Sequence, residues 1–260
     1  MRRVAIVVLA VVLLLAVAGG LLAPHDPLQQ DPDLALHGPA WAHPFGTDYL
    51  GRDVFSRLLA GTRATVVAAV ESVGIGLLLG VIPGLASLWL GRGVEWVLLR
   101  AVDAVMTLPF IVFAVAVTGI LGNGITQAMA AIGILFAPLF FRVTRAAALS
   151  LTRAQYVEAA ELFGASRARI LRTHVWGKIL PTVAVTAAQA TGGALLAVSS
   201  LTFLGLGVQP PAPTWGGILA SDLGFLAQQP WAPVVPAALI ALTVAALNTL
   251  ADHRGTSAAR

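Results

Sequence analysis

Apolar residues run along this chain in blocks too long for a soluble core. Val4–Ala23 is twenty residues without a charge, and about twenty are needed to cross the hydrocarbon of a bilayer. Further blocks lie near Thr65–Leu90, Val97–Leu121, Thr126–Val143, Ile179–Leu206 and Trp231–Leu250. The pattern predicts six spanning helices. Period-2 alternation is absent, which argues against a membrane β-barrel. Ala16-Val17-Ala18 after Arg2-Arg3 has the form of a signal-peptide cleavage site. The block continues apolar to Ala23, however, so it is expected to stay as the first spanning helix.

Polar segments fall between the blocks. Residues 24–63 form one, rich in proline at first and therefore extended or turned. From Asp48 the pattern changes: Leu50, Val54 and Leu58 share a helical stripe, predicting an amphipathic helix over Asp48–Ala60 at the outer interface. Residues 207–230 form a second outer segment, too short and polar to span, with a re-entrant or interfacial helix over Trp215–Ala227. The chain thus divides into a first helix (1–23), an outer segment (24–63), a five-helix core (64–252) and a tail (253–260). A polar loop (150–178) interrupts the core.

Composition agrees with a membrane protein. The chain is 58% hydrophobic and 11% charged, where roughly a quarter charged is usual for soluble domains. Of 16 Lys and Arg residues, only Arg52, Arg57 and Arg63 fall on one side if the six helices alternate. The other thirteen fall on the opposite side, which the positive-inside rule makes cytoplasmic. Both termini and the 150–178 loop are then expected in the cytoplasm. The same bias accounts for the net charge of +4, so no nucleic-acid partner is inferred. With no cysteine, thiolate chemistry is excluded.

Several features bear on packing and passage. Gly76, Gly80 and Gly84 stand four apart, a spacing that lets helix backbones approach closely, though short patterns are weak by themselves. Pro83, Pro109 and Pro138 are expected to kink or end their helices. Glu71, about two turns into the second span, is either a pathway residue or an interface residue paired with a cation such as Arg63, or with a partner chain. Arg100 and Asp103 are spaced to pair on one helix. His25, His37 and His43 share an outer loop with aspartates; imidazole and carboxylate suit transition metals, but the spacing matches no tight motif and a solvated loop is the expectation. Trp41, Trp215 and Trp231 are read as interfacial anchors. An intramembrane hydrolase would need a Ser–His pair or metal cluster within the bilayer, and all five histidines lie in loops or tails. A stand-alone channel or secondary transporter remains the rival reading.

The polar loop is the most informative segment. Arg153–Phe163 can form a short helix with Tyr156, Ala160 and Phe163 on one face. Gly164 suits a left-handed helix cap, and Ser166 can cap a second helix carrying Ile170, Leu171, His174 and Val175 on one side. Lys178 and Pro181 mark re-entry to the membrane. The expected product is two short helices at an angle, tied at both ends to spanning helices.

Glu158-Ala159-Ala160, Gly164 and Ile179-Leu180-Pro181 between two spans resemble the EAA loop of ABC importer permeases. The segment His43–Arg57, containing Phe45-Gly46-Thr47-Asp48 and Gly51-Arg52-Asp53, resembles the outer segment of dipeptide, oligopeptide and nickel permeases. Leu201–Pro211 with Thr214-Trp215-Gly216 resembles the segment after the fifth span, and the likeness runs from about Pro24 to Asp252. It fits the second, "C-type" permease of that subfamily. Trp176-Gly177 departs from a usual Leu-Pro pair and is expected to loosen the exit of the second loop helix.

The resemblance implies an all-α type I permease with six transmembrane helices, a cytoplasmic coupling helix and outer interfacial helices, in a bacterial plasma membrane. It implies a non-catalytic subunit importing peptides, or alternatively nickel or another small solute. The partners would be a homologous second permease, two ATPase subunits and an extracytoplasmic substrate-binding protein. ATP and Mg²⁺ would bind only the ATPases; Gly74-Ile75-Gly76 lacks the Lys-Ser/Thr of a phosphate loop. Coupling would fall to Tyr156, Glu158, Ala159, Ala160, Gly164, Ala165, Arg167 and Ile170. Glu71, Gln209 and Trp215 are the candidates for contact with the pathway or the binding protein.

Overall fold

The computed structural model describes the backbone of residues 1–258 and the side chains of residues 1–253. Residues 259–260, the end of the expected tail, lie outside the described residues. Among the described residues there is no strand, only an isolated bridge between Thr47 and Asp53. Helices α1 (Arg2–Leu22), α2 (Val54–Ala86), α5 (Ile125–Thr152), α8 (Trp176–Phe203) and α10 (Trp231–Ala258) form the bundle. Shorter helices are α3 (Arg92–Met106), α4 (Phe110–Leu121), α6 (Gln155–Leu162), α7 (Arg167–Ile170) and α9 (Trp215–Asp222). Among the described residues, five helices are long and apolar enough to span, and α3 with α4 makes a sixth only as a broken pair.

The glycine spacing of α2 is what joins it to α5. A Cβ on Gly76 would sit 2.9 Å from that of Phe136, and one on Gly84 would sit 3.0 Å from the Phe141 carbonyl oxygen. A Cβ on Gly80 would overlap the Ala137 carbonyl. Gly133 of α5 returns the contact, with Ile75 2.6 Å from the position a Cβ would take. Backbone-to-backbone packing replaces the hydrophobic drive that lipid removes. Ile132, Phe140, Ala194, Leu195 and Val198 fill the core among α2, α5 and α8.

Three expectations are corrected. The interfacial helix over Asp48–Ala60 does not form as a separate element. Asp48 spends its carboxylate on a turn, accepting from the backbone N–H groups of Leu50 and Arg52 at 2.9 and 3.0 Å, and Gly51 takes φ +74°. Asp53 is the N-cap instead, accepting from the Ser56 N–H at 2.8 Å. With no terminator after it, the helix runs on through residue 61 into the second span.

The third span is the second, in degree rather than in place: the break falls at Pro109, where a kink was expected. α3 and α4 meet at 96°. Pro109 supplies no N–H and biases Leu108 away from helix, and four charges make α3 amphipathic. The expected Arg100–Asp103 pair is present at 3.1 Å, but Arg142 of α5 reaches the same carboxylate at 2.8 Å and Arg145 pairs with Glu95. Those pairs hold α3 to the side of α5. Pro138, by contrast, interrupts nothing: α5 continues through it, and α2 runs three residues beyond Pro83.

The third concerns the loop exit. α7 does not end before the membrane. It passes through a π turn at Leu171–Val175 directly into α8, so Arg167–Phe203 is one rod of 37 residues. Gly177 leaves this helix unbroken because it keeps the N–H that a proline would lack.

Candidate functional site

Two faces of the molecule carry the polar residues. At one end, α6 and α7 form the handle. α6 closes in a Schellman turn: the Ala165 N–H donates to the Ala160 carbonyl at 3.0 Å and the Gly164 N–H to Glu161 at 2.9 Å. Gly164 has φ +80°, the left-handed conformation expected from its position. Ser166 caps α7 by accepting from the Arg169 N–H at 3.4 Å.

The handle is seated by three contacts. Val157, Ile170 and Val175 are buried in the core. Lys178 Nζ lies 3.9 Å above the Tyr156 ring, and the His174 ring packs against it at a tilt, centroids 5.8 Å apart. Arg167 Nη1 donates to the Trp89 carbonyl at 2.7 Å, tying the handle to the chain leaving α2. Ala160 and Ala165 also pack inward. Ile170 is therefore a seating residue and offers no surface to a partner.

What the handle presents outward differs from the expected face. Tyr156, Glu158, Ala159 and Gly164 are exposed. Sequence reasoning missed Leu162 and placed Phe163 on one face with Tyr156 and Ala160 without naming it among the coupling residues; Leu162 and Phe163 are 89% and 92% exposed. Two large apolar side chains at the tip of a fixed turn, flanked by Glu158 and Glu161, form a projection without a cover. Their positions just before Gly164 were the available signal.

The opposite end is a closed cap. Asp48 is fully buried and accepts from Arg52 Nε at 2.7 Å, with Arg57 Nε 3.4 Å from the same oxygen. Gln229, from the second outer segment, donates to the His37 carbonyl at 2.7 Å. Asn123 bridges to that segment as well, donating to the Gly205 carbonyl at 3.1 Å and accepting from the Gly207 N–H at 2.9 Å. Asp222 of α9 lies under this cap. Burial pushes its carboxyl up to about 6, against the one bond it accepts, from the Ser221 hydroxyl at 2.9 Å.

Trp215 is corrected by this geometry. Its relative exposure is 0%, so it neither anchors at an interface nor meets another protein. The indole N–H donates to Thr62 Oγ1 at 3.2 Å and the backbone N–H to Thr65 Oγ1 at 3.1 Å, pinning α9 to α2. Gln209 is exposed and donates to the Gly205 carbonyl at 3.1 Å.

Glu71 lies on a lengthwise stripe of α2 with Val67, Val70, Leu78 and Ile82, all exposed. It pairs with no cation among the described residues, so the expected partnership with Arg63 is absent.

Residues 75–253 match the family described as binding-protein-dependent transport system inner membrane component. The Probable D,D-dipeptide transport system permease protein of Escherichia coli is 35% identical over 95% of this chain and 83% of its own length. A di/tripeptide transport system permease protein of Pseudomonas aeruginosa is 35% identical over 89% of this chain and 78% of its own. A glutathione transport system permease protein of Pectobacterium atrosepticum is 35% identical over 94% and 82%. The matched region holds the handle, the α2–α5 seam and α9 together, and this chain belongs to the binding-protein-dependent transport system inner membrane components.

Proposed function

We propose that this chain is the permease subunit of an ATP-driven importer of short peptides. The peptide assignment rests on the relatives, whose names specify dipeptide, di/tripeptide and glutathione transport. In this reading it lines half of the pathway and a homologous second permease lines the rest. Two ATPase subunits bind ATP and Mg²⁺, and an extracytoplasmic binding protein delivers the peptide. Neither nucleotide nor metal catalysis is assigned to this chain. Both termini and the handle are cytoplasmic, from the arginine distribution.

The observation that carries the proposal is the Leu162–Phe163 tip. An exposed apolar pair held rigid by a Schellman turn costs little entropy to dock, so a groove on an ATPase subunit gains the full burial of both side chains. α7 continues without a break into α8, so displacement of the tip is delivered to a spanning helix. Glu71 is assigned to the α2 face that the second permease and the pathway cover. A charge there is costly in lipid and inexpensive beside water or a cation.

The test is co-purification in mild detergent from cells expressing all subunits. Wild-type chain is expected to bring down both the ATPase and the second permease. Leu162→Ala/Phe163→Ala is expected to keep the permease and lose the ATPase. ATPase recovered equally with both would remove the tip from coupling. Absence of ATPase with either would favour a stand-alone transporter. Transport and assembly unchanged in Glu71→Gln would take Glu71 out of the pathway.

A further inference from the structure

The cap contains a cluster that the transport reading does not use. His25, His43 and Asp53 come from the exit of α1, the middle of the outer segment and the head of α2. Each offers one ligand atom, and the three atoms lie within 4.8 Å of one another. His43 Nδ1 is 3.0 Å from Asp53 Oδ1, and His25 Nδ1 is 3.7 Å from Asp53 Oδ2. The two imidazoles stack with centroids 4.7 Å apart.

Two details separate this cluster from an ordinary His–Asp hydrogen bond. His25 Nδ1 is buried yet has no hydrogen-bond partner, and a buried polar atom without a partner needs a reason. Asp53 is also aimed. Its Oδ2 accepts from the Ser56 N–H at 2.8 Å and the Ser56 hydroxyl at 2.6 Å, which turns Oδ1 toward His43. Ser56 Oγ in turn accepts from the His25 backbone N–H at 3.1 Å, fixing the loop that carries that imidazole. One serine thus orients two of the three groups, the kind of support that metal ligands receive from their surroundings.

We propose that His25, His43 and Asp53 bind a first-row divalent transition metal, Zn²⁺ being the best fit. Two imidazoles and one carboxylate form a known class of zinc donor set that leaves the fourth tetrahedral position to water. Ligand atoms at about 2.0–2.1 Å from a tetrahedral ion lie about 3.3 Å apart, close to the 3.0 Å between His43 Nδ1 and Asp53 Oδ1; the His25 ring, within 4.8 Å of both, closes in to complete the set. The metal takes Nδ1 of His43 in place of the proton shared with Asp53, and the neutral ring then carries its proton on Nε2. The cleft around the cluster also contains Asp26 and Asp31, whose charge favours a cation. The ion clips the exit of α1 to the head of α2 and so holds the outer segment shut at its open end.

The test uses the full chain, without a histidine tag, in mild detergent. It is stripped with EDTA and titrated with Zn²⁺ by calorimetry. One ion per chain is expected. His25→Ala and His43→Ala should each weaken binding by at least about tenfold. His37→Ala should stay near wild type, since His37 is exposed in the same segment and outside the cluster. Co²⁺ loading of wild type should give the intense visible bands of a four-coordinate site. Substoichiometric Zn²⁺, a six-coordinate Co²⁺ spectrum, or a His25→Ala titration matching wild type would each overturn the proposal. The wild-type measurements decide it even if a variant does not fold.

Discussion

The cap and the handle are both polar segments between apolar helices, yet they satisfy their polar groups in opposite ways. In the cap, Thr47, Asp48, Arg52, Asp53 and Arg57 are all buried, and their partners come from the same chain. In the handle, Glu158, Glu161, Arg169 and Arg172 face outward beside two bare apolar side chains. The cap is finished by folding; the handle keeps an apolar tip that folding leaves bare. Charge burial marks the first because a buried ion must be paired within reach. Apolar exposure marks the second because a permanent patch invites a partner.

Breaking the cap should therefore unfold it, and breaking the handle should not. Asp48→Ala strands the Arg52 and Arg57 guanidinium groups in a buried site, and removal of one partner of a buried pair costs roughly 3–5 kcal/mol. The expected result is little or no folded chain by size-exclusion chromatography in detergent. Asp222 sharpens the picture from within the cap. Its acid pKa is raised, from 3.8 to about 6, so between those values the folded chain holds a proton that the unfolded chain has lost. Stability therefore falls as pH rises through about 4 to 6 and stays lower above, by about 3 kcal/mol at most. Asp222→Asn should raise the melting temperature at pH 7.5 more than at pH 5. An equal gain at both pH values would contradict the burial argument.

Trp215→Phe removes one hydrogen bond to Thr62 and keeps most of the ring volume. A loss of about 1 kcal/mol is expected, read as a small drop in melting temperature. Smallest of all on stability is Leu162→Ala/Phe163→Ala. Exposed substitutions of this kind fall within about 0.5 kcal/mol, so the melting curve should overlay wild type while ATPase recovery collapses. A large thermal shift in that variant would mean the tip is seated within the chain after all.

Much of this contrast was legible in the residues. Uninterrupted apolar runs located the spans because lipid leaves the backbone few alternatives to helix. Gly164 and Ser166 announced the turn and the cap of the handle because both act locally. What stayed hidden depends on distant partners. Pro109 marks where the third span bends, but not how far: Arg142 and Arg145 of α5, 39 and 50 residues from Asp103 and Glu95, hold α3 out to the side. Trp215 reads as an anchor until Thr62 and Thr65, some 150 residues earlier, receive its N–H groups. His25, His43 and Asp53 match no motif because only the fold brings them together. Asp48 misled for a different reason: an aspartate before a helical stripe can cap it or close the preceding turn, and here Asp53 took the cap.

The unbroken rod from Arg167 to Phe203 also sets a gearing ratio. Its 37 residues at about 1.5 Å each make a lever of about 55 Å. A tilt of about 5° at its handle end would carry its far end by about 5 Å, roughly the spacing between neighbouring extended strands. The π turn at Leu171–Val175 lies beside that end, so a bend placed there would set how much of each stroke reaches the far end.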